Sequence, residues 1–539
     1  MHVNQSDATP PAEPRRRDAT SAYAGSARIL GCLTSALVLL GAGAACAPDA
    51  SDTDGGGGAR LTVALAEEPR TMGSWSAVSD EGTPWIYNVE EPLVMRNAET
   101  GSVDPLLATK WSQASPTTWR FTLRQGVKFH DGTAFNAEAA AAALNYTWDK
   151  ANNFALLQFM GPQITAKAAG EYELDVNTAE PDPILPSRLF FSPIFSPQTL
   201  TKKTYDSDPV GTGPYRLAKW QRGQYLDLEP NDSWWGLAAD SGQPRPTVKN
   251  VRFTFNSESS VRSSAVQAGD ADLAIQLEPA QCKPQCVTTG SVETILLRLD
   301  AATNPMLKDS RVRKAIALGI DTKAIVEQYI PQGAQASQLV RPGVLGYNPD
   351  LKPYPHDVAE AKRLLAEAAA AGVPIDQPIN VIDRNGFVPQ GDQIVQVIQA
   401  QLTALGLKAS SRVMENSQLQ TGLRAKPAPA DRGWALLYMH SNQLGDLSAT
   451  VGWFTCAGAV SAMCDKALDT RAASAAEQTG EARQAAYAQV AADLYNTYAV
   501  LPIGRPARFY GARQGLKWVA RNDGAVLVNT ITLPGGAGR

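Results

Sequence analysis

Apolar and polar residues alternate at the start of the segment 119–138, which reads WRFTLRQGVKFHDGTAFNAE. Trp119, Phe121 and Leu123 occupy every second position, the period of a half-buried β-strand. A Gln-Gly pair interrupts this alternation, the apolar residues after it predict a second strand, and an Asp-Gly pair predicts another turn. Asn136 then precedes an alanine-rich run that it can cap. The segment therefore predicts two strands followed by a helix.

Helical spacing of apolar residues becomes common in the C-terminal half of the chain, whereas Arg60–Leu65 alternates as a strand does. Asp357 and Glu360 have capping-box spacing, and Gly372 can end the helix that they begin. The predicted helices cover about residues 308–320, 357–371, 394–405 and 483–498. Strands and helices together indicate an α/β protein.

The N-terminus has a different pattern. Arginines at positions 15–17 and 28 precede an apolar stretch, Ile29 to Ala45, which ends in small residues before Cys46. This order predicts a secretory signal peptide over residues 1–45. Cys46 resembles a lipobox cysteine, although Gly43 stands where Leu or Val is usual, so we expect lipidation, with ordinary cleavage and free secretion as the alternative. Residues 46–59 are polar and glycine-rich, which predicts a flexible tether.

Four cysteines remain beyond the leader, in two close pairs: Cys282 with Cys286, and Cys456 with Cys464. In an exported protein such pairs predict two local disulfides. The alternative is a four-thiolate zinc site, which requires the two distant pairs to converge.

Charge and hydropathy narrow the function classes. The chain has 539 residues, a formal net charge of −4 and a pI near 5.8. It therefore lacks the broad basic field that nucleic-acid binding uses. No internal run approaches the roughly 20 apolar residues that a membrane-spanning helix needs.

Several short blocks occur in a characteristic order along the chain. Besides residues 119–138 they are GSVDPLLA (101–108), PVGTGPY (209–215), NDSWWG (231–236), GDAD (269–272), KDSRVRKAI (308–316) and LPI (501–503). The ordered set resembles family 5 of the bacterial extracellular solute-binding proteins. That family comprises the dipeptide-, oligopeptide- and nickel-binding subunits of ABC importers.

The resemblance implies an α/β fold of the two-lobe, periplasmic-binding-protein type II-like kind, hinged and with an extra subdomain inserted in lobe I. Mapped onto this chain, lobe I takes residues 60–293 and 505–539, its inserted subdomain about 91–203, and lobe II 294–504. A peptide or similar small polar solute is expected to bind between the lobes, and the importer's permease to recognise the closed form. We expect no cofactor and a monomer.

The resemblance also suggests ligand contacts in lobe II. Arg384 lies where dipeptide-binding relatives pair an arginine with the peptide carboxylate; a surface salt bridge is the alternative. The aspartate that pairs with the peptide ammonium in those relatives corresponds to Asn442 or Gln443 here, with Asp446 a few residues on. If Asp446 does not reach the ligand, we expect something other than an ordinary peptide.

Four further residues, Tyr438, Met439, His440 and Trp453, are candidates for an apolar or stacking wall of the ligand site, with core packing as the alternative reading of each. His440 is also a possible nickel contact, because some relatives bind nickel. The few scattered histidines make a histidine-rich metal site improbable, and we expect no resident metal.

Neither an HExxH motif nor a GxSxG nucleophile elbow occurs in the chain. The binding subunit of an importer is therefore the first hypothesis, and an extracytoplasmic ligand sensor of the same fold is the second. A secreted hydrolase is the third and the least supported. The sequence predicts a protein without enzymatic activity.

Overall fold

The computed structural model of the protein describes residues 60–73, 82–158, 160–425, 433–456, 458 and 460–534. The predicted signal peptide, Cys46 and the predicted tether lie outside these residues.

The described residues form 19 strands and 12 α-helices, which are interspersed along the chain. The strands are β1 (Arg60–Leu65), β2 (Val94–Arg96), β3 (Val103–Pro105), β4 (Ala108–Ser115), β5 (Thr118–Leu123), β6 (Ile164–Ala168), β7 (Glu173–Thr178), β8 (Tyr215–Gln221), β9 (Tyr225–Pro230), β10 (Asn250–Phe255), β11 (Leu273–Ala274), β12 (Gln285–Gly290), β13 (Glu293–Leu299), β14 (Ala334–Gln335), β15 (Ile379–Arg384), β16 (Ala409–Met414), β17 (Trp434–Ser441), β18 (Val500–Arg505) and β19 (Ala507–Ala512). The helices are α1 (Ala137–Thr147), α2 (Leu185–Leu189), α3 (Gln198–Lys202), α4 (Ser259–Ala268), α5 (Ser310–Gly319), α6 (Thr322–Tyr329), α7 (Val358–Ala370), α8 (Gly391–Ala404), α9 (Asn416–Arg424), α10 (Ser448–Val451), α11 (Lys466–Ala476) and α12 (Gly480–Thr497).

Lobe I is built on a seven-stranded sheet with the order β12-β19-β11-β1-β10-β9-β8. The predicted strand β1 is confirmed, and it pairs in parallel with β10 and β11. Leu61 and Val63 are fully buried because β1 lies in the middle of this sheet. The remaining neighbours in the sheet pair antiparallel.

A separate four-stranded sheet, β4-β5-β7-β6, packs against α1 beside the first sheet. The predicted strand at residues 119–123 is confirmed as β5, and Asn136 caps α1 by accepting a hydrogen bond from the Ala139 amide at 2.9 Å. The predicted second strand is wrong. Only a single bridge joins Lys128 to Ala134, because the chain turns back on itself there, with the Phe129 amide donating to the Thr133 carbonyl.

Lobe II is built on a six-stranded sheet with the order β14-β18-β13-β17-β15-β16. Strand β15 pairs in parallel with β16 and β17, so these three strands end at the same edge. Helices α5, α7 and α8 pack together beside this sheet. The predicted capping box is confirmed at its first position, since Asp357 accepts from the Glu360 amide at 2.9 Å.

The chain passes twice between the two main sheets, from β12 to β13 and from β18 to β19. Each connection is only a few residues long, and each sheet has its own hydrophobic core. Both predicted disulfides, Cys282–Cys286 and Cys456–Cys464, are present, so these four sulfurs are not available as zinc ligands.

Candidate functional site

An arginine and three aromatic side chains form a continuous cluster in lobe II. The Arg384 guanidinium lies 4.0 Å from the Phe387 ring centre, and Phe387 lies 4.9 Å from Tyr438. Tyr438 in turn lies 4.7 Å from Trp453. The Nε of Arg384 is buried and has no hydrogen-bond partner in the part of the chain that the structure describes. The structure thus brings together three of the residues predicted from the sequence, and adds Phe387.

Strand direction explains where this cluster lies. Arg384 ends β15, and Tyr438, in the middle of the parallel strand β17, lies two residues beyond the last pair of that register, Ile382 with Leu436. Ligands of open α/β sheets bind outside the carboxyl ends of such strands. The Arg384 cluster, defined as Arg384, Phe387, Tyr438 and Trp453, therefore occupies the edge where the fold favours a ligand.

His440 extends this cluster but is occupied by the protein. Its ring lies 6.1 Å from Trp453, and its Nε2 is 2.6 Å from Thr450 Oγ1. Burial lowers the pKa of His440 to about 4, so the imidazole is neutral at neutral pH. Met439, between Tyr438 and His440 on β17, belongs to the opposite face of the strand and packs on the main core of lobe II.

Asn442 is buried behind the loop that follows β17. Its Nδ2 donates to the Val292 carbonyl at 3.0 Å and lies 3.3 Å from the Leu339 carbonyl. Its own carbonyl accepts from Nη2 of Arg96, in lobe I, at 3.4 Å. Asn442 thus connects lobe II to a crossover segment and to lobe I.

Asp446 forms a buried ion pair with Arg483. Arg483 Nε lies 2.8 Å from Asp446 Oδ2, Nη2 lies 3.2 Å from Oδ1, and both side chains are less than 5% exposed. Oδ1 also accepts from the Ser448 amide at 2.8 Å. Both carboxylate oxygens therefore have partners inside lobe II.

Three glycines bring loops of the two lobes into direct contact. A Cβ on Gly445 would lie 2.6 Å from the Gly101 carbonyl oxygen, and one on Gly101 would lie 3.2 Å from the Gly343 carbonyl oxygen. All three have positive φ, between 68° and 85°. Only glycine combines this conformation with so close an approach of two backbones.

A cavity of about 1000 Å³ lies at the junction of the lobes. Its walls come from the segment around β2 and β3, from both crossover segments, from the C-terminal segment and from lobe II around β14. Its main polar groups, Arg96, Arg341 and Arg505, were not predicted from the sequence, and none of the residues predicted for the ligand site lines this cavity. No local pattern distinguishes these arginines from surface ones.

The described ranges contain neither a cluster of metal-binding side chains nor a membrane-spanning helix. No group of three or more His, Cys, Asp or Glu side chains there is placed to hold a metal ion. In these ranges no helix is long and apolar enough to cross a bilayer.

Solved structures with the same architecture define the class of this fold. HbpA2 from Haemophilus parasuis superposes with a TM-score of 0.76 at 21% identity, covering 88% of this chain and all of that one. A nickel ABC transporter protein from Bacillus halodurans gives 0.70 at 21% identity, with 88% and 99% covered. The expected two-lobe, periplasmic-binding-protein type fold is thereby confirmed.

Sequence comparison identifies the family. The model of the bacterial extracellular solute-binding proteins, family 5 (middle region), matches residues 102–444. The Escherichia coli (strain K12) nickel-binding periplasmic protein is 29% identical over 360 residues, 61% of this chain and 67% of that protein. The dipeptide-binding protein of the same organism is 25% identical, with 65% and 72% covered. The chain belongs to family 5 of the bacterial extracellular solute-binding proteins.

Proposed function

We propose that this protein captures a peptide or similar small polar solute between its two lobes and delivers it to the permease of an ABC importer. Relatives named for dipeptide, nickel and glutathione binding support this function. The protein acts without turnover, as a monomer held at the outer face of the membrane by lipid on Cys46. In this proposal lobe I takes residues 60–293 and 505–539, with about 91–203 as its inserted subdomain, and lobe II takes residues 294–504.

The strongest support for a ligand contact comes from Arg384. Its guanidinium lies over Phe387 at the carboxyl edge of the lobe II sheet, and its Nε has no protein partner. A guanidinium in this setting can form paired hydrogen bonds with a carboxylate, and the neighbouring aromatic rings can pack against an apolar side chain. In this assignment Arg384 holds the carboxylate, and Tyr438 and Trp453 form the wall.

Closure of the lobes explains how a small solute changes the conformation that the permease recognises. The two crossover segments are short, so lobe II can rotate about them relative to lobe I. A solute that contacts both lobes stabilises the closed state because only that state provides both sets of contacts. Asn442 lies at this junction, where it joins the lobes through Arg96.

Asp446 is assigned a positioning role in this account. Its ion pair with Arg483 fixes the loop after β17, which carries Asn442 and the Gly445 contact to lobe I. An ordinary peptide then finds no ammonium partner at Asp446. This favours a solute recognised mainly through its carboxylate and its apolar surface.

Calorimetric titration of the mature protein tests this function. The probes are a di- and tripeptide mixture and Ni²⁺ with L-histidine, and the variants are Arg384→Ala and the control Arg363→Ala. Arg363 is an exposed arginine of α7 that pairs with Glu360 and Glu367. Loss of the Arg384 contact should weaken a carboxylate-bearing solute by roughly 2–5 kcal/mol, whereas Arg363→Ala should leave its affinity unchanged.

Uptake in cells tests delivery to a permease. Deletion of the gene should abolish uptake of the solute identified by titration, and wild-type protein but not Arg384→Ala should restore it. Normal uptake in the deletion strain, together with tight binding in vitro, would point to the sensor alternative.

A further inference from the structure

Arginines dominate the cavity at the junction of the lobes. Arg96 comes from the end of β2 in lobe I, Arg341 from the segment after β14 in lobe II, and Arg505 from the end of β18, where the chain crosses between the lobes. None of the three forms a salt bridge with an acidic residue in the described part of the chain. The two lobes and a crossover segment each contribute one cation.

Arg96 is the most buried of these cations, at 2% exposure. Its Nη2 makes one long contact with the Asn442 carbonyl, at 3.4 Å, while Nε and Nη1 have no hydrogen-bond partner within the described ranges. Burial lowers the pKa of Arg96 to about 10, which leaves it charged at neutral pH. Leaving donors of a buried cation unmatched is costly, so their placement against a cavity points to a ligand.

Arg341 repeats this arrangement from lobe II. Its Nη1 donates to the adjacent Pro342 carbonyl, at 3.2 Å, and its Nε and Nη2 have no hydrogen-bond partner among the described residues. Burial, and next the neighbouring Arg505, lower the pKa of Arg341, while Glu293 and Asp523 act to raise it. Arg341 in turn acts to lower the pKa of Arg96. Arg341 thus lies close enough to Arg96 and to Arg505 for their charges to repel.

Nearby buried acids offset this group only in part: Asp523 and Glu293 act to raise the pKa of Arg96 and of Arg341, but each of these acids is hydrogen-bonded to another arginine. Glu293 accepts from Arg508 at 3.1 Å, and Asp523 accepts from Arg521 at 2.6 Å. These two pairs account for two positive and two negative charges. Arg96, Arg341 and Arg505 remain as the excess.

The acidic residues in the cavity wall are of two kinds. Glu91 is buried, and its oxygens accept hydrogen bonds from Thr212, Trp234 and Trp235. Glu99 and Asp104 are exposed, so water and salt screen their charges. The buried part of the cavity is therefore positive.

We propose that this cavity binds a small polyanion with at least two anionic oxygens, a polycarboxylate or a phosphate, held between Arg96 and Arg341. The planar guanidinium fork matches both kinds of group with paired hydrogen bonds. An anion here removes the repulsion between the arginines and links the two lobes. The site is separate from the solute site proposed above, because no residue of the Arg384 cluster lines the cavity.

Titration of the full mature protein with citrate and with inorganic phosphate, at constant ionic strength, tests this site. Either anion should bind measurably better than chloride, and the stronger of the two identifies the preferred class. Arg341→Gln and Arg96→Gln should each weaken that binding by about 30-fold or more. Arg363→Gln, on the exposed face of α7, should not change it.

Two further measurements keep the test independent of folding and of the solute site. Circular dichroism establishes whether each variant is folded. Arg341→Gln replaces only a half-buried residue, so this variant tests the anion site if Arg96→Gln does not fold. Arg384→Ala should leave anion affinity unchanged. No anion response beyond that to chloride, or equal binding by folded Arg341→Gln, would overturn the site while leaving the proposed transport function intact.

Discussion

Replacing Asp446 by asparagine tests whether this carboxylate supports the fold or contacts the solute. Asparagine keeps the shape of the side chain but removes its charge and one acceptor. Arg483 then remains 4% exposed without an ionic partner. Its Nη1 would still donate to the Ala475 and Ala476 carbonyls and its Nη2 to Ser448 Oγ, so the loss is confined to the pair itself.

The expected cost follows from this burial. Breaking a buried pair by removing one partner costs about 3–5 kcal/mol, whereas exposed pairs are worth about 1 kcal/mol or less. Arg252 and Asp227 of lobe I form a matched control, because their guanidinium and carboxylate are also joined by two hydrogen bonds, of 2.7 Å each, but remain 20–25% exposed. Asp227→Asn should therefore cost much less than Asp446→Asn.

Urea unfolding followed by tryptophan fluorescence measures both variants. The double variant Asp446→Asn with Arg483→Met should recover part of the loss, since removing both charges of a buried pair is often nearly neutral. Folded Asp446→Asn protein should lose only the part of its solute affinity that depends on the position of this loop, so its affinity should fall less than that of Arg384→Ala. A small loss of stability combined with a large loss of solute affinity would refute the positioning role and return Asp446 to the ligand site.

Three other perturbations give clear expectations. Burial raises the pKa of Glu91 from 4.5 to about 7. The protonated carboxyl therefore stabilises the folded protein fully below pH 4.5, and this contribution, about 3 kcal/mol in all, is lost as the pH rises through 7. Glu91→Gln should flatten the pH dependence of the free energy of unfolding, measured in urea at pH 5 and pH 8. Gly445→Ala should weaken solute binding, measured by titration, and lobe closure, measured by small-angle scattering, because the new Cβ would meet the Gly101 carbonyl. Gly223 has a similar positive φ but open space around it, so the control Gly223→Ala should affect stability alone. Cys46→Ser should release the protein into the soluble fraction of cells, and retention in the membrane fraction would contradict lipid anchoring.

Local patterns predicted the fold well where one element determines its own structure. The alternation in β1 and β5 and the caps at Asn136 and Asp357 depend on residues a few positions apart. The prediction of a second strand after β5 was wrong because a tight turn pairs these residues with their own neighbours in the chain, although their apolar side chains are buried as expected.

The candidate site was less predictable because its contacts join distant parts of the chain. Arg384 and Tyr438 were both expected at the ligand site, and the parallel pairing of β15 with β17 brings them together. The partner of Asp446 is Arg483 on α12, which no motif near either residue indicates. Arg96 and Arg341 become neighbours only when the two lobes meet, so neither stands out in the sequence.

Native mass spectrometry of the purified mature protein, followed by denaturation, tests most directly whether this chain binds a small solute. The account predicts a bound molecule with at least one carboxylate in the wild type, and its loss from Arg384→Ala but not from Arg363→Ala. An equal amount of the same molecule on both variants, or a bound molecule that carries no carboxylate, would contradict it.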